Sequence, residues 1–193
     1  MSLSEWSDGR RCGRPTLVGL CGLAGSGKST VAEMLVREGF ERRKFAGPLK
    51  DALRSILFSA GASSETIERM IEGDLKETPT ELLAGQTPRH AMQTLGTEWG
   101  RSCMSPGFWV DLALAGVEAA RAAGVSHVVI DDVRFANEAR AIRAAGGVTV
   151  RITGRGGISG GHVSELLYFE PDLTLCNRGS IADLKGAVAD LLL

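Results

Sequence analysis

The sequence predicts an α/β fold in which a five-stranded parallel sheet carries helices on both faces. Short apolar runs typical of buried strands alternate along the chain with segments whose apolar residues have helical spacing. A glycine-rich loop joins the first of these runs to the first helical segment. Because parallel strands need long crossover connections, which helices supply, this alternation favours a parallel sheet with right-handed crossovers.

The first strand and the first helix flank the glycine-rich loop. Leu17–Cys21 is a short apolar run, and residues 31–36 (VAEMLV) have the spacing of an amphipathic helix. Between them, residues 22–30 (GLAGSGKST) fulfil the pattern G-x-x-x-x-G-K-[ST] without a substitution. The order strand, loop, helix is the context in which this pattern binds phosphate. The sequence therefore predicts the three-layer fold of the P-loop NTPases.

Each residue type in this phosphate loop has a chemical reason. Its glycines permit backbone angles that turn successive N–H groups toward an anionic phosphate. Lys28 can reach the β- and γ-phosphates of ATP, and the Ser29 hydroxyl is placed to bind the Mg²⁺ that bridges them. ATP and Mg²⁺ are thus the predicted cofactors. The residues expected to bind them are Gly25, Ser26, Gly27, Lys28, Ser29 and Thr30.

Four further runs predict the other strands: residues 40–45, 127–132, 148–152 and Leu173–Cys176. The charges within residues 40–45 suit a strand at an edge of the sheet or in a half-exposed position. The run 127–132 (HVVIDD) ends in two acids, so its strand would deliver carboxylates to the carboxyl edge of the sheet. Asp132, or alternatively Asp131, is expected to hold Mg²⁺ through water or to orient the acceptor.

The remaining segments predict helices. Pro48 suits the first position of a helix, and Thr87 before a proline predicts the start of another. Residues 109–123 predict a long apolar helix, and Ser180 is the expected N-cap of the last helix. Residues from about 61 to 101 are polar with short periodicity, and we expect them to form a helical insertion that binds a second substrate.

The sequence predicts one P-loop domain over residues 16–193, preceded by a flexible tail, residues 1–15. A glycine-rich stretch (GRGGISGGH) cannot contribute to a core and predicts a short lid loop over about 153–163. Arg155, or alternatively Arg151 at the base of this loop, is the candidate for contacting the transferring phosphoryl group.

Composition and charge narrow the expected partners. A chain of 193 residues with 44% hydrophobic residues can bury a proper core. A net charge of −1 argues against a broad nucleic-acid surface, and no run is long enough to cross a bilayer. The 4 cysteines lack metal-ligand spacing, which favours reduced thiols in a cytoplasmic protein. Small nucleotides are the expected partners, without nucleic acid or membrane, and a homodimer stays open.

Other classes of phosphate-loop protein fit less well. A GTPase would need an N-K-x-D motif, which Asn177-Arg178 does not supply, and a motor ATPase would usually need a larger domain. A small kinase with a second substrate in the insertion remains. Phosphoryl transfer between two polyanions requires that their negative charge be neutralised, so Arg89 and Arg134 are candidates for the acceptor phosphate.

Five pieces of the chain carry a family resemblance: residues 46–53 (AGPLKDAL), 89–98 (RHAMQTLGTE), 108–110 (FWV), 132–138 (DVRFANE) and 162–165 (HVSE). In these pieces, which come in family order and are distributed over most of the chain, the sequence resembles the deoxynucleoside monophosphate kinases of tailed bacteriophages and related bacterial proteins. The resemblance implies ATP-dependent phosphorylation of a deoxynucleoside monophosphate to the diphosphate, with Mg²⁺. By position it implies that the monophosphate side includes Lys50, Arg89, Gln93, Trp109, Asp111, Arg134 and Glu138.

Several alternatives stay open at this stage. Arg134 and Glu138 are four residues apart and could form a surface ion pair, and Trp109 could be a core residue instead of a base-stacking wall. The protein could also be a kinase for another small phosphorylated acceptor, such as dephospho-coenzyme A or phosphomevalonate. A third hypothesis is a non-catalytic regulatory protein that binds ATP.

Overall fold

The computed structural model describes residues 13–156 and 169–193. The strands are β1 (Leu17–Cys21), β2 (Glu41–Arg43), β3 (Val128–Ile130), β4 (Val148–Thr153) and β5 (Leu173–Cys176). The α-helices are α1 (Lys28–Arg37), α2 (Gly47–Ser59), α3 (Ser64–Ile71), α4 (Pro88–Thr94), α5 (Phe108–Ala122), α6 (Ala136–Ala144) and α7 (Ile181–Leu191). A π-helix, Leu95–Met104, continues α4, and short 3₁₀ turns lie at Asp74–Glu77 and Glu81–Leu83.

The five strands form one sheet in the order β2-β3-β1-β4-β5, and every neighbouring pair is parallel. The predicted five-stranded parallel sheet is therefore confirmed, with the charged strand β2 at an edge as expected. Gly19 of β1 lies opposite Ile130 of β3, and the backbone N–H of Val133 donates to the Leu20 carbonyl at 3.2 Å. This register brings the acids that follow β3 to the edge of the sheet where the phosphate loop leaves β1.

Helices cover both faces of the sheet. On one face, Val18 and Leu20 of β1 are fully buried in a cluster that includes Leu35 of α1 and Leu184 of α7. On the other face a Cβ at Gly19 would collide with the Ile142 side chain of α6, so the helix packs directly on the strand backbone. Helix, sheet and helix make up the predicted three layers.

The chain divides into two compact units. The sheet unit comprises the described residues of Met1–Phe45 and Leu114–Leu193, and the helical unit comprises Ala46–Ala113. The helical unit has a core of its own, formed by Leu53, Leu57, Ile67, Met70 and Ile71 with partly buried neighbours. It includes α2 and the first residues of α5, and so extends on both sides beyond the insertion of about 61–101 that the sequence suggested.

Two predicted N-caps are confirmed, whereas the helix after Thr87 departs from the expected α form. Thr87 Oγ1 accepts the N–H of His90 at 3.1 Å, and Ser180 Oγ accepts that of Asp183 at 3.2 Å. Beyond Thr94, the helix widens into the π form, and the N–H of Ser105 donates five residues back to the Gly100 carbonyl at 3.1 Å. π-Helical segments are rare, and sequence periodicity does not distinguish them from α-helix.

Parts of two predicted segments lie outside the described residues. Of the tail 1–15, residues 1–12 are outside, whereas Arg14 donates to the Glu38 carbonyl and Pro15 O lies 3.0 Å from His127 Nδ1. Of the lid loop, residues 157–163 are outside. Among the helices that the structure describes, none is both long and apolar enough to cross a membrane.

Candidate functional site

The phosphate loop adopts a conformation that its glycines permit. Gly22 and Gly27 have φ angles of 143° and 105°, in the left-handed region that side chains with a Cβ rarely adopt. Helix α1 begins at Lys28, and its first turn ends where the Val31 N–H donates to the Gly27 carbonyl at 3.0 Å. The N–H groups of Ser29 and Thr30 in this first turn precede the helical ladder and are available to an anion, whereas the N–H of Ser26 donates to the Leu23 carbonyl at 3.1 Å.

Lys28 lies folded over its own loop. Its Nζ donates to the carbonyl of Gly22 at 2.7 Å and to that of Leu23 at 2.8 Å. These carbonyls hold the ammonium group beside the loop backbone. Since carbonyl groups are weaker partners for a cation than phosphate oxygens, a bound triphosphate can take the ammonium over.

Asn177, which follows β5, is hydrogen-bonded to the phosphate loop. It is 6% exposed, and its Nδ2 donates to the Ser26 carbonyl at 2.8 Å. A Cβ at Gly27 would collide with the same amide group, so the contact requires glycine there. Sequence reasoning considered Asn177 only as part of a failed base-recognition motif. A buried polar residue directly after a strand was the available signal, but its partner lies far away in the sequence.

The loop pattern predicted Ser26 as an ATP-binding residue, and the structure adds the state of its hydroxyl. Ser26 is 1% exposed, and its Oγ has no hydrogen-bond partner among the residues that the structure describes. A buried hydroxyl without a partner is costly, because it has lost its bonds to water. The orphaned hydroxyl in this loop fits a polar ligand such as a phosphate group.

The two acids after β3 have different partners. Asp131 is 5% exposed, and its Oδ2 accepts from Arg42 of β2, with the Nε donor at 3.0 Å. Asp132 is half-buried, and its Oδ1 accepts the backbone N–H of Phe45 at 2.7 Å. The Asp131 charge is therefore compensated by a guanidinium within the sheet, whereas the Asp132 bond involves a neutral donor.

Glu138 shapes the segment that carries Arg134. Glu138 is 4% exposed, and its Oε2 accepts the backbone N–H groups of Arg134 at 2.7 Å and Phe135 at 3.0 Å. A carboxylate at the start of a helix also interacts favourably with the helix dipole. Glu138 thus caps α6 through the backbone, which differs from the surface ion pair that the spacing allowed. The Arg134 residue itself is exposed.

The start of the predicted lid loop lies against the phosphate loop. Gly156, with φ 81°, comes so close that a Cβ there would collide with the Ala24 carbonyl. Arg155 is exposed, and its Nη2 donates to the Gly179 carbonyl at 2.7 Å. Arg151 lies within β4 and donates to the Phe169 carbonyl at 2.9 Å.

Cys21 lies directly before the phosphate loop. It is fully buried, and burial raises the pKa of its thiol to about 11 despite the nearby Arg151 and Lys28 cations, which act in the opposite direction. The thiol is therefore neutral at physiological pH, and a neutral thiol is a poor nucleophile. Cys21 acts as an apolar residue beneath the loop.

The helical unit contains a cluster of basic residues with acidic partners. Lys50 Nζ bonds both carboxylate oxygens of Glu72, at 2.7 and 2.8 Å. Arg89, at the start of α4, forms an ion pair with Glu77. Lys76 lies between these two acids in the sequence, and its pKa is lowered mainly by burial and then by the positive charge of Lys50.

Trp109 packs inside the helical unit. It is 7% exposed, its Nε1 donates to the Gly96 carbonyl at 3.0 Å, and Phe108 lies edge-on to it at 4.9 Å. These contacts match the core alternative for Trp109. Two further residues of the predicted monophosphate side, Gln93 and Asp111, are exposed in the same unit.

The predicted site residues divide between the two units. The sheet unit contains Lys28, Ser29, Asp132, Arg134, Glu138 and Arg155. The helical unit contains Lys50, Arg89, Gln93, Trp109 and Asp111. Within the described ranges, no group of three or more histidine, cysteine or acidic side chains is placed to hold a metal ion. A site in which Mg²⁺ takes most of its ligands from phosphate and water needs no such group.

Comparison with known proteins gives one close relative. A protein of Acanthamoeba polyphaga mimivirus, provisionally named a deoxynucleotide monophosphate kinase, is 36% identical over an alignment of 193 residues. The alignment covers 89% of this chain and 93% of the relative. No protein-family model matches the chain.

Solved structures with similar folds include two kinases. An unliganded sugar kinase from Janibacter sp. HTCC2649 is 20% identical with a TM-score of 0.48, over 92% of this chain and 94% of that one. The APS kinase CysC of Mycobacterium tuberculosis, in complex with AMPPNP and APS, is 19% identical with a TM-score of 0.42, over 94% of this chain and 99% of that one.

Proposed function

Because the chain belongs to the deoxynucleotide monophosphate kinase family and is therefore a nucleotide kinase, we propose that it transfers the γ-phosphoryl group of ATP to a deoxynucleoside monophosphate. The products are ADP and the deoxynucleoside diphosphate. The observation that carries this proposal is the phosphate loop: left-handed glycines, a helix beginning at Lys28 and a buried hydroxyl at Ser26 suit the phosphates of a nucleotide donor.

The donor side is assigned to the sheet unit. Backbone N–H groups of the stretch from Gly25 to Thr30 surround the phosphates, except that of Ser26, which donates to the Leu23 carbonyl, and Lys28 moves from the loop carbonyls onto the β- and γ-oxygens. The Ser29 hydroxyl and the Asp132 carboxylate would hold Mg²⁺. Mg²⁺, when bound, neutralises the charge that develops on the transferring group. Arg155 is assigned to contact the transferring phosphoryl group, and would exchange its bond to the Gly179 carbonyl for a bond to a phosphoryl oxygen.

The acceptor side is assigned to Lys50, Arg89, Gln93 and Asp111 in the helical unit. The family resemblance also implies Arg134, which belongs to the sheet unit. The basic groups neutralise the monophosphate, while the neutral and acidic side chains are suited to hydrogen bonds with sugar and base. Glu138 supports Arg134 indirectly, because it fixes the backbone on which that arginine stands. Trp109 supports the unit through its packing, as its contacts indicate.

The test measures ADP formation with each of the four deoxynucleoside monophosphates and without any acceptor. We expect ADP to form only with an added monophosphate, and Lys28→Ala to reduce turnover by about 10³-fold or more. ADP formation that is equal with and without acceptor would contradict the proposal. Turnover with only a non-nucleotide, such as dephospho-coenzyme A, would retain a kinase but replace the acceptor.

A matched pair of variants separates the acceptor side from general surface charge. Arg89 and Arg69 are exposed arginines of the helical unit, and each pairs with a surface acid, Glu77 and Asp74 respectively. We expect Arg89→Ala to raise KM for the monophosphate about tenfold or more, whereas Arg69→Ala leaves KM unchanged. Equal effects of the two variants would remove Arg89 from the acceptor side.

We also propose that the protein works in the cytoplasm on small nucleotides. The described cysteines Cys21, Cys103 and Cys176 are free thiols, which fits a reducing compartment. The net charge of −1 gives no broad basic surface for nucleic acid. Sedimentation of the purified protein, with and without nucleotides, tests whether it is the homodimer that the sequence left open.

A further inference from the structure

We infer that Lys76 is a third cation of the acceptor-phosphate site, beside Lys50 and Arg89, and that Glu72 and Glu77 occupy these cations until the acceptor phosphate displaces them. The inference rests on the proposed function for the identity of the acceptor. It adds a binding residue that neither the loop pattern nor the family resemblance indicated. It also assigns the two acids a role as internal competitors of the substrate.

The ion pairs place the cations on both sides of one short turn. The 3₁₀ turn Asp74–Glu77, which contains Lys76, follows α3 after a single glycine. Glu72, just before the turn, binds Lys50 of α2, and Glu77, its last residue, binds Arg89 of α4. The helices α2 and α4 are thus joined through acids that flank Lys76.

The charges in this cluster repel one another. Lys76 is half-buried, and its electrostatic neighbours are the cations Lys50 and Arg89 as well as the acids Glu72 and Glu77. Burial lowers the pKa of Lys76 most, the charges of Lys50 and Arg89 lower it further, and Glu72 and Glu77 act in the opposite direction. The cluster has one cation more than it has acids. A phosphate dianion would relieve this repulsion, which an apolar or cationic ligand would not.

The acids can leave at little cost. The side chains of Glu77 and Arg89 are 62% and 50% exposed, and ion pairs between exposed groups contribute little to stability. Glu72 has a second cation within reach, because Arg54 Nη2 lies 3.6 Å from its Oε1. Once a phosphate takes Lys50, Glu72 retains Arg54 and Glu77 turns to water. Phosphate, with more charge and three acceptor oxygens, forms the stronger bonds to the cations.

The test compares charge-neutralising variants of the same turn by calorimetric titration with the deoxynucleoside monophosphate that supports the fastest turnover. We expect Lys76→Met to weaken monophosphate binding about tenfold or more, and Lys76→Arg to restore most of the affinity. We expect Glu77→Gln to tighten binding about threefold, because it removes the competitor for Arg89. The matching deoxynucleoside, which lacks phosphate, should bind all variants equally.

Asp74→Asn is the matched control. Asp74 lies in the same turn and pairs with Arg69, so its replacement removes the same charge without releasing a cation of the cluster. Monophosphate binding that is unchanged in Lys76→Met, or equally tightened in Glu77→Gln and Asp74→Asn, would overturn the inference. If no monophosphate supports turnover by the wild type, the proposed function fails instead. The same variants are then titrated with inorganic phosphate, for which the same order of affinities is expected.

Discussion

Replacing Asn177 by alanine tests whether the segment after β5 holds the phosphate loop in its binding conformation. The side chain of Asn177 spans a buried gap between that segment and the loop, and its Nδ2 donates to the Ser26 carbonyl at 2.8 Å. The Asn177 backbone is held separately, by its N–H bond to the Thr153 carbonyl at 2.7 Å. The substitution therefore removes the connection to the loop and leaves the segment anchored to β4.

The expected magnitude follows from the burial of the bond. Asn177 is 6% exposed, so alanine leaves the Ser26 carbonyl without a partner and opens space in which Gly27 can move. An unsatisfied buried acceptor costs about 1–3 kcal/mol. If most of this cost reappears as loop disorder that ATP must reverse, the affinity for ATP falls about tenfold, since 1.4 kcal/mol corresponds to a factor of ten.

The assay pairs ATP binding, measured by calorimetry, with urea unfolding. Ser180→Ala is the control, because Ser180 lies three residues further on and its hydroxyl caps α7. A lost N-cap costs about 1 kcal/mol, so both variants lose stability. We expect Asn177→Ala alone to weaken ATP binding, and Asn177→Asp to weaken it further, because a carboxylate cannot donate to the Ser26 carbonyl and repels phosphate.

Stability losses of similar size with ATP affinity unchanged in Asn177→Ala would refute this reasoning. The loop would then keep its shape through its own glycines, and Asn177 would be an ordinary buried residue. A rise in KM for the acceptor with no change for ATP would also contradict it, because the contact lies on the donor side.

Three further outcomes follow from single contacts. Gly100→Ala should lower the free energy of unfolding by about 1–3 kcal/mol in a denaturation series, because its Cβ would collide with the Trp109 indole. Cys21 should resist a thiol-specific reagent at pH 8, while the exposed Cys103 reacts. Burial raises the pKa of Cys21 from 9.0 to about 11, so the stability that the buried neutral thiol contributes should be present below pH 9 and lost as pH rises toward 11. Glu138→Gln should lower the melting temperature and raise KM for the acceptor, and unchanged values of both would contradict its capping role.

The strands were predictable because their signal is local. Strand β1 is fully buried along its length, and the run Leu17–Cys21 is correspondingly apolar throughout. Strand β2 carries charges, and it lies at the edge of the sheet, where a strand can keep charged side chains in water. The alternation with helices predicted a parallel sheet, but the strand order β2-β3-β1-β4-β5 was not predicted, because it depends on contacts between distant parts of the chain.

The π-helix was not predictable, because its cause lies outside the segment. Gly100 packs against the Trp109 indole, whose N–H donates to the Gly96 carbonyl of the same π-helix. The Gly96 carbonyl bonds a side chain, and Gly100 allows the indole to come close. Both features accompany the change of the helix from i+4 to i+5 backbone hydrogen bonds. The apolar spacing over Leu95–Met104 is compatible with an α-helix or a π-helix, so the contact with α5 determines which of the two forms.

The site shows the same division between local and distant signals. The phosphate loop was predictable because its residues form one continuous pattern in the sequence. Lys76 and Asn177 were missed, because the Asn177 bond to Ser26 joins residues 151 positions apart and the Lys76 cluster joins two helices and a turn. Residue type alone does not indicate which lysine or asparagine the fold turns toward a ligand.

The two acids after β3 illustrate what the fold adds to a correct chemical expectation. Sequence reasoning identified a carboxylate for Mg²⁺ at the end of this strand and favoured Asp132 over Asp131 without a contact to support the choice. The Arg42 guanidinium compensates Asp131, so a cation there would have to compete with a bound arginine. Asp132 Oδ1 accepts the backbone N–H of Phe45, and this bond orients the carboxylate. Carboxylate oxygens suit a hard cation, and the Mg²⁺ proposal rests on Asp132 because Arg42 already binds Asp131.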